Sequence, residues 1–275
     1  EEGRPTFGTG VKGDAYFELR CKGPSHDLHS SVAPIVPNPA WRLVWALSTL
    51  KNERDEITLD GYLDHVAPLS PAESAAIDAI PMAFEETRAR YGIDQWLNGM
   101  SDYDARRRLY AAPTITICGF ESGYTSVGSK TVLPSEAMVK LDFRLVPDLT
   151  PELAQDLLRQ HLDRRGFTDI SITFLGGEPP AKSPPGSLVE RAAVAASQDA
   201  LGKTPIMQPW AAGSGPMYSL STMLGMPVVF AGATWNPDSL MHAPNENIYV
   251  EDYFAAMRFM GAFLHRFATL EAVAE

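Results

Sequence analysis

Two histidines in a short polar loop are the first candidates for chemistry in this sequence. The loop, residues 25–31, reads SHDLHSS and follows a segment that alternates apolar and polar residues. An imidazole can bind a metal or move a proton near neutral pH. A histidine in a loop is more often solvated or a cap, so the residue types alone do not assign His29 to catalysis.

Arg144 is a candidate for binding an anion. Residues 137–145 carry an apolar side chain at every second position, and Lys140, Asp142 and Arg144 share the other face of the predicted strand. A guanidinium presents a planar fork of donors that matches a carboxylate. The alternative interpretation, which the sequence alone favours, is a surface ion pair with Asp142 or Glu136.

The last third of the chain offers a serine between glycines and another histidine. Residues 213–216 (GSGP) precede a predicted helix, where Ser214 and the backbone N–H groups could bind an anion or, more commonly, cap the helix. The string lacks the Gly-x-Ser-x-Gly spacing of a nucleophile elbow. His242 lies in the loop just before the final predicted helix, and is either a metal ligand or an incidental loop residue.

Hydrophobic periodicity predicts an α+β unit followed by an α/β unit. In the first, strands are predicted at 14–22, 57–62, 114–118, 137–145 and 169–174, and helices at 39–51, over most of 71–110, and from Thr150 onward. Prolines and glycines are concentrated at 176–186, which indicates a domain boundary. Beyond it, helices are predicted at 188–201, after Gly215-Pro216 and at 251–269, and strands at 205–208 and 227–232.

Composition excludes some classes of partner and compartment. The 275 residues are 45% hydrophobic, which is enough for a sizeable core in one or two domains. The net charge of -11 argues against a nucleic-acid partner and gives no support for binding an anionic membrane. No run approaches the ~20 apolar residues of a membrane span. The two cysteines are too few for a disulfide framework, so we expect a cytoplasmic protein.

Taken together, these motifs resemble the lid and the end of the catalytic domain in the M20 peptidase family. That family includes carnosinase-like dipeptidases, aminoacylases and succinyl-diaminopimelate desuccinylase. The long segment between Lys51 and Thr114 favours the dipeptidase branch. The matching strings occur in the family's order: FEL at 17–19, GPSHDLHS at 23–30, NP at 38–39, GYT at 123–125, KTVLP at 130–134, FRLVPD at 143–148, GSGP at 213–216 and HAPNE at 242–246.

The resemblance implies a dinuclear zinc site that activates water. Family members hold two zinc ions bridged by a carboxylate and a water, and a glutamate acts as general base. His242 corresponds to a ligand of one zinc ion. His29 corresponds to a lid histidine that reaches the partner subunit's active site and stabilises the developing oxyanion. Thr131 corresponds to a lid residue near the substrate or the neighbouring active site.

The same resemblance implies a site for the substrate's carboxylate. Arg144 corresponds to a clamp on that carboxylate, and Gly213, Ser214 and Gly215 correspond to a carboxylate-binding turn. These residues suit any substrate with a free carboxylate, either a dipeptide or an N-acyl amino acid. The implied partners are therefore a small peptide or acyl-amino acid and a second copy of the chain.

Two departures from the family pattern stand out. Ser31 follows the His-Ser pair where the family has glycine, and Ala33-Pro34 stands where a Gly-Gly is expected. The family's His-x-Asp motif, bridging aspartate and Glu-Glu pair are not found, and Glu1-Glu2 lies too close to the first lid strand to be that pair. One histidine cannot hold two zinc ions. We therefore expect the intact protein to be a metallopeptidase, and this chain alone to be an inactive fragment of it.

The expected architecture follows from these matches. Residues 8–178 should form a two-layer lid and dimerisation domain, with an antiparallel sheet backed by two helices. Residues 1–7 and 183–275 should belong to an α/β catalytic domain of the zinc-exopeptidase type. Two other functions remain open: an N-acyl amino acid amidohydrolase of the same family, and a non-catalytic dimerising homologue that binds a ligand.

Overall fold

The protein is described here from a computed structural model, which covers residues 4–232, 238–241 and 243–270. The chain divides into two compact units. The first contains Glu1–Val11, Leu69–Ala111 and Ala181–Glu275, and the second contains Lys12–Pro68 and Ala112–Pro180.

Both units mix helices and strands. The strands are β1 (Thr6–Gly8), β2 (Gly10–Val11), β3 (Gly13–Lys22), β4 (Leu28–His29), β5 (Thr114–Ser122), β6 (Val132–Leu133), β7 (Glu136–Leu145), β8 (Ile170–Glu178), β9 (Ala181–Lys182) and β10 (Ile206–Gln208). The helices are α1 (Pro39–Leu47), α2 (Pro71–Asp78), α3 (Phe84–Tyr91), α4 (Asp102–Ala111), α5 (Pro151–Arg164), α6 (Leu188–Leu201) and α7 (Val250–Thr269).

The second unit is built on one four-stranded antiparallel sheet, in the order β5-β7-β3-β8. Its two central strands alternate buried and partly exposed residues along their length, as predicted. Helices α1 and α5 pack on the buried face. The residues of the central strands with fully buried side chains are Ala15, Phe17, Leu19, Ala137, Val139, Leu141, Phe143 and Leu145. The predicted antiparallel sheet with two helices is therefore confirmed.

Both helices of this unit begin at side-chain caps. Asn38 Oδ1 accepts a hydrogen bond from Ala40 N (2.9 Å), and Thr150 Oγ1 accepts one from Leu153 N (3.2 Å). A proline follows each cap, at a position where the backbone N–H would have no helical partner. Helix α1 ends at Leu47, earlier than predicted, and a hydrogen-bonded turn from Ser48 follows.

The first unit has three apolar contact regions. The first lies between α6 and α7, where Phe7, Ala193, Ala196 and Phe259 are buried together. The second contains Val11, Ala181 and Met217. The third joins α2 and α4 to Trp210, whose indole Nε1 donates to the Tyr110 carbonyl at 2.6 Å. The larger side chains of α7 lie mostly on its exposed face: Phe254, Met257, Met260, Leu264 and Phe267.

Some predicted elements differ from the structure. Residues 57–62 form no strand, because Ile57 makes one β-bridge to Lys51 while Leu59 and Tyr62 are buried in the core. Residues 227–232 form no strand, and within the described chain their β pairing is a single bridge between Phe230 and Gly8. After Pro216 there is one irregular turn, Ser219–Met223, in place of a longer helix.

The predicted lid span and the second unit also differ. The span 8–178 includes residues 69–111, which belong to the first unit because Ile77, Ile80 and Tyr110 pack against Trp210. Among the described residues, no helix has the length and apolarity needed to cross a bilayer.

Candidate functional site

His29 and Thr131 meet at one end of the second unit's sheet. The two-residue strands β4 and β6 pair with each other, so His29 lies opposite Val132, and Ser30 N donates to the Thr131 carbonyl at 3.0 Å. The Thr131 hydroxyl lies 3.4 Å from His29 Nε2, although 102 residues separate the two along the chain. Both side chains are exposed, so this pair can reach another molecule.

The other nitrogen of the His29 ring is held by Ser31. The Ser31 backbone N–H donates to His29 Nδ1 at 3.2 Å, and the Ser31 hydroxyl lies 2.9 Å from the same atom. Because Nδ1 accepts the backbone hydrogen bond, the neutral ring carries its proton on Nε2. The side of the ring that faces Thr131 is therefore a hydrogen-bond donor, which is what stabilisation of an oxyanion needs.

Asp27 ties the loop that carries His29 to the segment that carries Thr131. Its Oδ1 accepts hydrogen bonds from Ser135 N and Ser135 Oγ, both at 2.9 Å. These two hydrogen bonds lower the pKa of the Asp27 carboxyl. Asp27 is a residue of this region for which the motifs of the sequence predict no role. The sequence did offer one signal for such a role. Asp27 lies two residues before His29, in a loop that must be joined to a distant segment.

Arg144 lies near the far end of β7, with Asp14 on β3 and Thr114 on β5 directly opposite it. Its Nε donates to Asp142 Oδ2 at 2.9 Å, and the side chain is partly buried. The ion pair with Asp142 that the sequence offered as an alternative is therefore present. Glu136 instead pairs with Arg20. An arginine oriented by a neighbouring carboxylate can still direct other donors at a ligand, because guanidinium has five N–H groups.

The histidine end and the arginine end of the sheet are far apart within one chain. Strand β7 starts at Glu136, a few residues after Thr131, and reaches Arg144 eight positions later. At ~3.4 Å per residue, those eight steps cover roughly 27 Å. Since a dipeptide is much shorter than that, His29 and Arg144 of one chain cannot both contact the same small substrate.

The remaining predicted residues belong to the first unit. A bend at Ala212 and Gly213 leads into Ser214, which is exposed, and Met217 N donates to the Gly215 carbonyl at 2.7 Å. His242 lies outside the described residues. Among the described residues of this region, Asn247 N donates to the Ser239 carbonyl at 3.0 Å.

The described part of the chain contains no group of three His, Cys, Asp or Glu side chains that could hold a metal ion. The side chains near His29 fit hydrogen bonding, and those near Arg144 fit anion binding.

Comparison with known proteins establishes the family. Residues 9–169 match the family described as the peptidase dimerisation domain of the M20 type, which is more than half of the 275 residues. The chain belongs to the M20 peptidase family. The resemblance inferred from its motifs is thereby confirmed.

Two solved structures of named peptidases are similar to this one. The structure is similar to an M20 family metallo-carboxypeptidase from Sulfolobus solfataricus, with a TM-score of 0.92 and 36% identity over 98% of this chain and 61% of that one. It is also similar to the dipeptidase Dug1p from Saccharomyces cerevisiae, with a TM-score of 0.86 and 26% identity over 97% of this chain and 57% of that one.

Sequence similarity extends along the chain as well. The Cys-Gly metallodipeptidase DUG1 of Candida albicans is 27% identical over 269 residues, which is 95% of this chain and 55% of that protein. The chain thus spans little more than half the length of these relatives. By their names, these relatives are a metallodipeptidase, a metallo-carboxypeptidase and a dipeptidase.

Proposed function

We propose that the intact protein hydrolyses the amide bond of dipeptides or related small peptides that end in a free carboxylate. The observation that carries this proposal is the placement of two complementary groups at opposite ends of one sheet. A hydrogen-bond donor lies at His29, and an anion-binding arginine lies at Arg144. A peptide substrate needs both, because its carbonyl oxygen becomes an oxyanion during hydrolysis while its terminal carboxylate stays charged.

In this proposal Arg144 positions the substrate. Its guanidinium binds the terminal carboxylate, and Asp142 keeps the side chain in place through the hydrogen bond to Nε. In the first unit, Gly213, Ser214 and Gly215 offer backbone and hydroxyl donors that suit a carboxylate. Charge-assisted hydrogen bonds of this kind orient a planar anion, and orientation brings the scissile carbonyl to the reacting water.

His29 then acts on the substrate held by a partner subunit. Its Nε2 donates to the oxyanion, with Thr131 beside it and Ser31 fixing the tautomer. Because ~27 Å of strand separates this pair from Arg144 in one chain, a complete site needs His29 from one copy and Arg144 from another.

An exposed aromatic face on α1 supports a homodimer. Trp41 and Trp45 are 58% and 54% exposed, and their rings stack with centroids 6.0 Å apart. Val44 lies on the same face, one turn from Trp41, while Leu43 and Ala46 point into the core. A contiguous apolar surface of this kind commonly marks a protein interface. We propose that a second copy of the chain covers it.

The metal requirement goes beyond this chain's described residues. We propose zinc, held as two ions per site, with His242 as one ligand; bound zinc would supply an activated water and polarise the carbonyl. Two zinc ions need more ligands than one histidine, so we expect the 275-residue chain alone not to hydrolyse peptides. The free thiols Cys21 and Cys118 fit a reducing compartment, and we propose a cytoplasmic location.

The substrate class is tested with the full-length protein loaded with zinc. We expect hydrolysis of dipeptides, and little or no hydrolysis of the corresponding dipeptide amides, which lack the carboxylate. Tripeptides and longer peptides would distinguish a carboxypeptidase from a dipeptidase. Preferred hydrolysis of N-acyl amino acids would favour the amidohydrolase alternative. Metal binding with no hydrolysis of any of these substrates would contradict the proposal and favour the non-catalytic homologue.

The shared site is tested by mixing two inactive variants. His29→Ala and Arg144→Met are each expected to be inactive as homodimers. A heterodimer of the two has one site with Arg144 from one chain and His29 from the other, so random pairing should restore about one quarter of the wild-type activity. No recovery after confirmed subunit exchange would show that His29 and Arg144 do not serve one site in trans.

A further inference from the structure

Lys12 is a buried cation that the predicted site does not include. It lies immediately before β3 and is only 2% exposed. Its ammonium Nζ donates to the Ala112 carbonyl at 2.6 Å. Lysine is rarely buried to this extent, because removing an ammonium from water is costly. A buried lysine therefore needs a structural or functional reason.

The strand register places Lys12 beside Arg144. Asp14 on β3 and Thr114 on β5 both lie opposite Arg144 on the central strand β7. Lys12 precedes Asp14 by two residues on the β3 side of β7. Ala112 precedes Thr114 by two residues on the β5 side. Neighbouring strands are ~4.8 Å apart, so the Lys12 side chain reaches from the β3 side toward the β5 side across the end of β7. Successive residues of an extended chain face opposite sides of the sheet, and Gly13 lies between Lys12 and Asp14. Lys12 therefore shares the sheet face of Asp14 and Arg144.

The electrostatics of Lys12 agree with this placement. Burial, followed by the positive charge of the neighbouring Arg144, lowers the pKa of Lys12 to about 8. Two adjacent cations destabilise each other, and an anion placed between them relieves the repulsion. The other titratable side chains that this sheet face carries around Lys12 are Asp14, Tyr16, Cys118, Asp142 and Glu178.

We propose that Lys12 is the second, titratable cation of the Arg144 site, and that it makes the site selective for an ionised carboxylate over a neutral carboxamide. This inference rests on the proposed function and deepens it. Arg144 supplies directional hydrogen bonds, and Lys12 adds a positive charge in a poorly hydrated position, where Coulomb attraction is screened little. A carboxylate bound there in turn stabilises the protonated lysine.

The proposal predicts a specific pH dependence of substrate binding. Lys12 is protonated below pH ~8 and neutral above it, so the second charge is present at low pH and is lost as the pH rises. The experiment measures KM for one dipeptide from pH 6.5 to 9.5 in the full-length zinc enzyme, for the wild type, Lys12→Met and Lys12→Arg. Comparing variants on the same dipeptide cancels the substrate's own titration.

We expect the Lys12→Met enzyme to have a KM about tenfold higher than the wild type at pH 6.5, and the difference to vanish by pH 9.5. Lys12→Arg stays charged and should keep a low KM at both pH values. Lys140→Met is the matched control, since Lys140 lies on the same face of β7 four positions from Arg144 and should leave KM unchanged. An active Lys12→Met enzyme with the wild-type KM at both pH values would overturn the proposal.

A second measurement does not depend on peptide hydrolysis. The side-chain ¹³Cε resonance of Lys12 is titrated by NMR in the wild type and in Arg144→Met. Removal of the neighbouring cation should raise the midpoint of the Lys12 titration, and addition of a free amino acid to the wild type should raise it too. A midpoint that neither change moves would overturn the pairing of the two cations. Absence of peptidase activity in every variant would instead contradict the proposed function.

Discussion

The two ends of the four-stranded sheet are built in opposite ways. At one end, His29 is exposed and is held by two-residue strands and a short set of hydrogen bonds. At the other end, Arg144 sits in a ten-residue central strand with partners on both sides, and the neighbouring Lys12 is buried. The first end carries an exposed donor, whereas the second end carries cations fixed within their own unit.

This difference indicates how the two ends should respond to mutation. A donor that acts mainly on the oxyanion contributes more to the transition state than to the bound substrate, so its loss should lower kcat. A clamp on a carboxylate that stays charged throughout the reaction contributes to both states, so its loss should raise KM. The contrast can be tested with single substitutions in the full-length enzyme.

The largest effect is expected at His29. His29→Ala removes the Nε2 donor and should lower kcat by about 10²–10³-fold with little change in KM, which steady-state kinetics measures. His26→Ala is the control, because His26 is in the same exposed loop and its Nδ1 lies 3.0 Å from the hydroxyl of the adjacent Ser25. Equal losses of kcat in the two variants would mean that activity depends on the loop as a whole and not on the His29 imidazole.

Arg144→Lys should have the next largest effect, and of the opposite kind. It keeps the charge but loses the planar fork, so we expect KM for dipeptides to rise by about 10–100-fold with a smaller change in kcat. KM for a dipeptide amide should change much less. A fall in kcat with an unchanged KM would remove the distinction between the two ends of the sheet.

Substitution of Lys12 should stabilise the protein while it weakens the site. The lowered pKa of Lys12, about 8, means that the folded state binds protons less well than the unfolded state between pH ~8 and ~10.4. This difference lowers the free energy of unfolding by about 3 kcal/mol at pH 7. The destabilisation disappears as the pH rises through that window. Lys12→Met also loses the hydrogen bond to the Ala112 carbonyl, so the net gain at pH 7 should be about 1–2 kcal/mol.

Urea unfolding at pH 7 and pH 10 measures this prediction. The gain in the free energy of unfolding of Lys12→Met should shrink or reverse at pH 10, where wild-type Lys12 is neutral in the folded state. A Lys12→Met protein that is less stable than the wild type at pH 7 would show that the lysine is there for structural support.

The smallest effect is expected at Asp27. Asp27→Asn weakens the link to Ser135 and should lower kcat by less than His29→Ala does, because the His29 ring itself remains. Since the pKa of Asp27 is lowered, its carboxylate accepts the Ser135 hydrogen bonds above that pKa and loses them as the pH falls through it. The Ser135 amide-proton shift should therefore titrate in the wild type and stay constant in Asp27→Asn.

Most of the second unit could be predicted from the sequence. Strands β3 and β7 each have one buried face, so alternation of side chains predicts their positions and faces together. Asn38-Pro39 and Thr150-Pro151 mark two helix starts by local capping, which needs no tertiary information. The strands predicted at 57–62 and 227–232 are wrong, because such a run also fits an irregular segment that pairs at a single position.

The site was predictable only in part, for a similar reason. Motif resemblance pointed to His29, Thr131 and Arg144, but no spacing rule brings His29 and Thr131 together across 102 residues. Lys12 was missed because a lysine before a strand has the pattern of a solvated residue. Its burial depends on how β5 and β7 align beside it, which the local sequence does not specify.

The stacked tryptophans of α1 give this protein an optical signal of its own. An indole in water emits at longer wavelength than one enclosed by protein, and Trp41 and Trp45 are both more than half exposed while Trp210 is buried. If a second copy covers α1, dilution of the sample should shift part of the emission toward longer wavelength, without any attached dye. The same aromatic pair that would join two subunits would then report when they separate.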